Sequence, residues 1–153
     1  MKKELQEKLY NDFPEIFKRR HLSKQETAMC YGISCGDGWF PLIYNLCSSI
    51  QTHIDYVNEL YEKRKNQEEE NKELEVTNSW GYEKHPQVSA DQIKSKWDGL
   101  RFYLHSYKGV SPEVRTMINI TERMSYNICR HCGISILKLE NHKCEKREET
   151  WKL

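Results

Sequence analysis

The chain has 153 residues, of which 37% are hydrophobic and 31% charged, and its formal net charge is +1. This length fits one domain with a small appendage, and so small a net charge provides no strong overall field for a polyanion. Nucleic-acid binding would therefore need a local basic patch. The first residues are charged and no apolar stretch follows them, so we expect no signal peptide, no membrane span and a cytoplasmic location.

Three helices are expected in chain order. Residues 2–10 form a short amphipathic helix that ends before Pro14, because proline cannot continue it. A long helix follows from Trp39 and runs into a charged arm, together covering about 40–75. Ser111 caps a third helix with Pro112 at its first position. Its end delivers the chain into a cysteine motif. The long helix is predicted from apolar residues at helical spacing: Ile43, Leu46, Ile50, Ile54, Val57, Leu60 and Tyr61.

A β-hairpin is expected over residues 93–105. Asp98-Gly99 suits a two-residue type I′ turn, which pairs Trp97 with Leu100. The alternation of strand side chains then predicts two faces. The apolar face comprises Ile93, Trp97, Leu100, Phe102 and Leu104. The opposite face comprises Lys94, Lys96, Arg101, Tyr103 and His105. The predicted fold class is α+β, with helices packed on a small antiparallel hairpin over residues 1–128 and a zinc-ribbon-like tail over 129–153.

The strongest motif is C-x-x-C-G at residues 129–133, followed by His142 and Cys144. Zinc prefers four sulfur or nitrogen ligands in a tetrahedron, and two cysteines at this spacing can grip it from one turn. We predict a zinc site formed by Cys129, Cys132, His142 and Cys144. His131 remains open as a substitute for His142. Four protein ligands leave no position for water, so this zinc would be structural.

Residues 29–40 hold three of the seven glycines. Glycines at this density mark unusual backbone angles or the close approach of another group. On one interpretation Asp37 and Trp39 line a ligand pocket. On the other, Asp37 caps the long helix and Trp39 fills the core.

The remaining cysteines of the six also have two interpretations. Cys30 and Cys35 could form a second metal half-site, completed by Cys47 or His53. A thiol–imidazole pair of Cys30 with His53 is also open. Burial as free thiols is favoured, because free cysteine is usually buried and a chain without a secretion signal is not expected to form disulfides.

Lys94, Arg101 and Tyr103 on the polar face of the hairpin mix cations with an aromatic ring. That composition is typical of a nucleotide or single-strand platform. An ordinary exposed strand face is the alternative. We expect this face and the loop at Asp37 to converge on one concave surface that binds an anionic, base-containing ligand.

Two segments resemble a family of small proteins encoded by bacteriophages. The first spans residues 13–51 and contains the run Cys-Gly-Asp-Gly-Trp at 35–39. The second spans 93–103 and is followed by a helix and the C-x-x-C-G knuckle. Members of that family end with a further Cys-x-x-Cys or Cys-x-x-His pair, whereas here Arg147 stands three positions after Cys144. The resemblance implies a phage protein that acts inside a bacterial cell and implies no particular reaction.

The leading functional hypothesis is a non-enzymatic protein that counters host defence. It would sequester a nucleotide signal or block a host protein. The expected ligand contacts are Asp37, Trp39, Lys94, Arg101 and Tyr103. A nucleic-acid-binding zinc-ribbon protein of phage transcription or replication is the alternative, and a nucleotide-processing enzyme is the second alternative. The sequence contains no H-E-x-x-H motif and no H-x-E with a P-C-x-x-C partner, which favours binding over catalysis. The apolar stripe that leads into a charged arm further predicts a homo-oligomer.

Overall fold

The computed structural model describes residues 1–70, 84–137 and 142–144. In these ranges the chain forms helices α1 (Lys3–Asp12), α2 (Phe40–Glu70) and α3 (Pro112–Ser125), and strands β1 (Ala90–Lys96) and β2 (Gly99–Leu104). Short 3-10 turns occupy Lys18–His21, Met29–Tyr31 and Asp37–Trp39. The two strands pair antiparallel, and the predicted α+β class is confirmed. None of the described helices is both long and apolar enough to cross a membrane.

The helices form where the sequence periodicity predicts them. The stripe of α2 is buried as far as Ile54, whereas Val57 and Leu60 are only partly buried. The apolar side of α2 therefore packs on the core in its first half only. The end of the predicted arm, at 71–75, lies outside the described residues, as does much of the predicted tail beyond 137. The division into a core and a tail stays a prediction.

Among the other helices, α3 begins at a side-chain cap and α1 ends before a proline. The Ser111 hydroxyl accepts from the Val114 N–H at 3.3 Å, with Pro112 at the first helical position, as predicted for α3. In α1 the buried side chains are Leu9 and Tyr10. The helix ends just before Pro14, because proline disfavours helical geometry in the residue that precedes it.

The predicted turn of the hairpin is wrong by one residue. The turn residues are Trp97 and Asp98, with φ of 53° and 55°, and Lys96 pairs with Gly99. Trp97 therefore does not pair with Leu100. Moving the turn by one residue shifts each strand partner by two, so the strand side chains keep their predicted faces. Only Trp97 changes its environment, since it leaves the strand and is 80% exposed.

Gly99, which pairs with Lys96, packs against the end of α3. A β-carbon at position 99 would lie 2.5 Å from Cζ of Tyr126, so a larger residue there would displace that ring. The glycine of Asp98-Gly99 is thus needed for close approach, not for a left-handed turn angle. Asp98 takes a left-handed angle instead, which aspartate tolerates better than most residues.

Both edges of the two-stranded sheet are covered at their centres. Outside β1, the Ser34 N–H donates to the Ile93 carbonyl at 2.9 Å, and the Ser34 carbonyl accepts from the Ser95 N–H at 3.0 Å. Outside β2, the Leu100 N–H donates to Ser125 Oγ, and the Phe102 N–H donates to Glu122 Oε1, both at 2.8 Å. These contacts protect the edges from pairing with other chains. They also place residues 35–39 beside β1 and the end of α3 beside β2.

Candidate metal centre and adjoining cleft

The predicted metal ligands come together in the structure. Cys129, Cys132, His142 and Cys144 each offer one donor atom, and these four atoms all lie within 4.8 Å of one another. Cys132 Sγ and His142 Nε2 are 3.4 Å apart. In the described part of the chain this is the one such group of three or more potential ligands. The four side chains could therefore hold one metal ion.

A tight backbone turn builds the first half of this site. The Gly133 N–H donates to the Cys129 carbonyl at 2.8 Å, and the Cys129 N–H donates to the Ile134 carbonyl at 2.9 Å. Gly133 has a φ of 78°, a left-handed angle that glycine adopts without the steric cost of a side chain. The turn follows α3 directly, so the helix fixes where both cysteines stand.

Hydrogen bonding prepares Cys129 to act as a thiolate. Partial burial pushes the pKa of this thiol upward. Hydrogen bonds from the backbone N–H groups of Cys132 and His131, with smaller contributions from the side chains of Cys132 and His142, outweigh burial and lower the pKa to about 6. The thiolate is the form of cysteine that binds metals and attacks electrophiles. Cys129 is thus readily deprotonated at neutral pH, which favours the binding of a cation at this site.

The three cysteines outside this group have different surroundings. Burial raises the pKa of Cys35 to about 12 and also raises the pKa of Cys47. Both thiols are in the core, so the burial predicted for Cys35 is confirmed, whereas the same prediction for Cys30 is not. Cys30 is partly buried, and its Sγ donates to the Thr27 carbonyl at 3.2 Å.

The glycine-rich segment Gly36–Trp39, which we term the glycine cradle, packs against residues 129–133, which we term the metal turn. The Gly38 N–H donates to the Arg130 carbonyl at 2.8 Å. Trp39 Nε1 donates to the Ile128 carbonyl at 2.9 Å. A β-carbon on Gly38 would overlap the Cys129 carbonyl and the Gly133 nitrogen. One on Gly36 would overlap the Arg130 carbonyl. The two most distinctive motifs of the sequence are therefore one structural unit.

Asp37 and Trp39 lie within this cradle. Asp37 Oδ1 accepts from the Lys2 N–H at 2.7 Å, so its carboxylate serves the start of α1. The alternative interpretation, in which Asp37 caps the long helix, is therefore wrong. Trp39 is 1% exposed and fills the core, while it also contributes to the wall of a cleft described below.

The other three predicted ligand contacts lie on the polar face of the hairpin, as expected. Lys94 and Arg101 are paired across the strands, and Lys94 Nζ is 5.6 Å from the centre of the Tyr103 ring. Arg101 donates to the Tyr126 hydroxyl at 2.8 Å and lies 3.9 Å from Glu122 Oε2. Among the described residues no hydrogen bond or ion pair joins this group to Asp37 or Trp39. The predicted convergence of the five contacts on one surface therefore stays a prediction.

A cleft of about 560 Å³ opens beside the metal ligands, between the hairpin turn, the end of α3 and residues 142–144. Arg130 is one of two cations in its lining: Nη1 is 3.5 Å from Asp98 Oδ1 and 3.4 Å from Ser95 Oγ, and Nε donates to His131 Nε2 at 3.1 Å. Besides the metal ligands and Trp39, its polar and aromatic lining includes Asp98, Tyr126, Arg130, His131 and Lys143. Sequence reasoning missed Tyr126, Arg130 and Lys143, although the last two lie between metal ligands in the sequence.

No family model, curated protein or solved structure matches this chain.

The pKa values predict which cysteine reacts first in metal-free protein. Iodoacetamide should alkylate Cys129 ahead of Cys35 and Cys47, because only a thiolate reacts and the pKa of Cys129 is lowered to about 6. The rate should rise as pH increases through that value. Added zinc should suppress it. Mass spectrometry of peptides after timed labelling measures each site, and faster labelling of Cys35 or Cys47 in folded protein would contradict the assignment.

The glycine cradle predicts a backbone effect on metal binding. Gly38→Ala should weaken metal affinity and lower the melting temperature, because the new β-carbon meets two backbone groups of the metal turn that cannot simply rotate away. Gly109→Ala is the control. It is strained by its φ of 75°, but the nearest side chain, Pro86, is 3.5 Å from the new β-carbon, so metal affinity should stay unchanged. Competition with a chromogenic chelator measures the metal affinity of both variants. An equal loss of affinity in Gly38→Ala and Gly109→Ala would contradict the role that we assign to the cradle.

Proposed function

We propose that this protein is a non-enzymatic binding protein in which a structural zinc fixes the metal turn and the adjoining cleft binds an anionic, base-containing ligand. The observation that supports it most is the position of Arg130, which belongs to the metal turn and lines the cleft. In the phage setting that the sequence resemblance implies, such a protein would counter host defence by sequestering a nucleotide signal.

The donor set supports zinc as the metal. Three thiols and one imidazole within 4.8 Å match the sulfur and nitrogen ligands of structural zinc sites. Harder cations such as Mg²⁺ and Ca²⁺ prefer oxygen, which none of these four side chains offers. Four protein ligands complete the usual coordination, so zinc here would stabilise the turn and would not activate water.

The lining of the cleft supports an anionic ligand. Arg130 and Lys143 bring two cationic side chains to the lining. They face the Asp98 carboxylate and the net charge of −1 that three thiolates and Zn²⁺ would carry, so the positive charge is local to these two side chains. The Asp98 side chain is 92% exposed, so its ion pair with Arg130 is weak and a phosphate can compete for the guanidinium. The volume of about 560 Å³ lies within the range of about 300–1,000 Å³ typical of small-molecule sites.

Arg101 joins this site through Tyr126. Its guanidinium donates to the Tyr126 hydroxyl at 2.8 Å, and the Tyr126 ring covers Gly99 and forms part of the cleft wall. Arg101 is thus a positioning residue for the aromatic wall. Its partly exposed side chain also adds positive charge near the cleft.

The zinc proposal is tested by a pair of cysteine variants. Freshly purified protein should contain about one equivalent of zinc, as expected for a closed four-ligand site. Cys132→Ser should lose most of it and unfold the metal turn, since metal-binding energy is folding energy in such sites. Cys30→Ser should keep its zinc, because Cys30 contacts Thr27 and not the metal group. Elemental analysis that finds wild-type zinc in Cys132→Ser would refute the ligand assignment.

The ligand proposal is tested on the zinc-loaded chain with the dinucleotide pApA as probe. Arg130→Gln should weaken binding by about tenfold or more, as expected for a lost hydrogen bond to a charged group. Arg123→Gln, at an exposed position of α3, removes the same charge outside the cleft lining and should change affinity little. Calorimetry at low ionic strength measures both. No binding of pApA by wild type would refute the proposal, and tighter, steeply salt-dependent binding of long single strands would favour the nucleic-acid alternative.

A further inference from the structure

Trp97 occupies a position that its side chain does not stabilise. It is the first residue of the hairpin turn, with a φ of 53°, and it is 80% exposed. Turns with two left-handed residues favour asparagine, aspartate and glycine, because a bulky side chain crowds the backbone there. The indole is also hydrated instead of buried. Strained residues of this kind concentrate at functional sites, where the surrounding structure holds them in place.

The surroundings of the turn connect Trp97 to the cleft. Its neighbour Asp98 lines the cleft and contacts the guanidinium of Arg130 at 3.5 Å. The same guanidinium contacts Ser95 Oγ at 3.4 Å on the strand that leads into the turn. Arg130 therefore connects the metal turn to the hairpin through Ser95 and Asp98, which precede and follow Trp97 in the chain. Trp97 itself is not part of the cleft lining, but it directly precedes Asp98, which is.

Tyr126 is less suited than Trp97 to receive a base. Its ring lies against Gly99, so closely that a β-carbon there would be 2.5 Å from Cζ. Its hydroxyl is already bonded to Arg101. One side of this ring is thus used by the hairpin itself, whereas most of the indole surface is accessible.

We propose that Trp97 is the stacking surface for a base of the ligand, whose phosphate groups bind at Arg130 and Lys143 in the cleft. This inference rests on the proposed function and names the ligand class: a nucleotide, in which base and phosphate are recognised by separate groups. Stacking on an aromatic ring is tolerant of base identity, because every base has a π face. An acidic peptide or a base-free phosphate would gain nothing from Trp97.

The test compares two probes that differ only in their bases. Zinc-loaded, full-length protein is titrated with pApA and with its abasic analogue, which carries the same charge. Wild type should bind pApA more tightly than the analogue. Trp97→Ala should lose roughly 5- to 100-fold in affinity for pApA, the usual range for a lost stacking contact, and none for the analogue. Trp97→Phe should keep most of the difference, since its ring can still stack.

A further variant separates the ring from the backbone strain. Trp97→Asn should lose the base contribution as Trp97→Ala does, yet raise the melting temperature by about 2–4 °C, because asparagine suits the left-handed turn. A lower melting temperature would overturn the strain argument.

The outcomes distinguish this inference from the function on which it rests. If neither probe binds wild type, the ligand-binding function itself fails. If both bind equally well, or if Trp97→Ala binds pApA as wild type does, the cleft stands as an anion site and the role of Trp97 is overturned.

Discussion

The architecture depends on a backbone-to-backbone contact between the glycine cradle and the metal turn. Gly36 and Gly38 have no β-carbon, so the carbonyl groups of Cys129 and Arg130 approach them closely. The cradle continues directly into α2 on one side and into Ser34, the residue that covers the edge of β1, on the other. A contact between segments some ninety residues apart thus connects the metal ligands to the helix and the sheet that form the core, as the Trp39–Ile128 bond also shows.

This contact changes how the metal should be understood. In an isolated knuckle, metal binding would order only the tail. Here the ordered turn presents a carbonyl of Arg130 to the cradle and its side chain to the hairpin. The energy of binding a metal at this site would therefore be shared with the packing of β1 and α2. A zinc without an open coordination position would still govern the cleft, because the arginine that we assign to phosphate belongs to the turn that the metal closes.

Sequence reasoning succeeded where one local rule decides the outcome. Helical periodicity predicted the buried stripe of α2 as far as Ile54, and ligand spacing predicted the metal group. It failed where two rules compete. Asp98-Gly99 has the strongest local turn propensity, yet the turn falls on Trp97 and Asp98, while Gly99 pairs with Lys96 and packs closely against the Tyr126 ring. The glycines at 36–39 were likewise ambiguous, because glycine serves a ligand pocket and a close backbone contact equally well.

The same competition gives Trp97 its significance. Elsewhere in the hairpin, local preference and packing agree: the apolar face is buried, both edges are bonded and Gly99 fits beneath Tyr126. At the turn they disagree, since a residue poorly suited to the backbone exposes a large apolar ring to water. Proteins violate local rules mainly where function requires it. A strained turn beside a cleft that Arg130 and Lys143 line is more consistent with recognition of a ligand than with a purely structural connection between two strands.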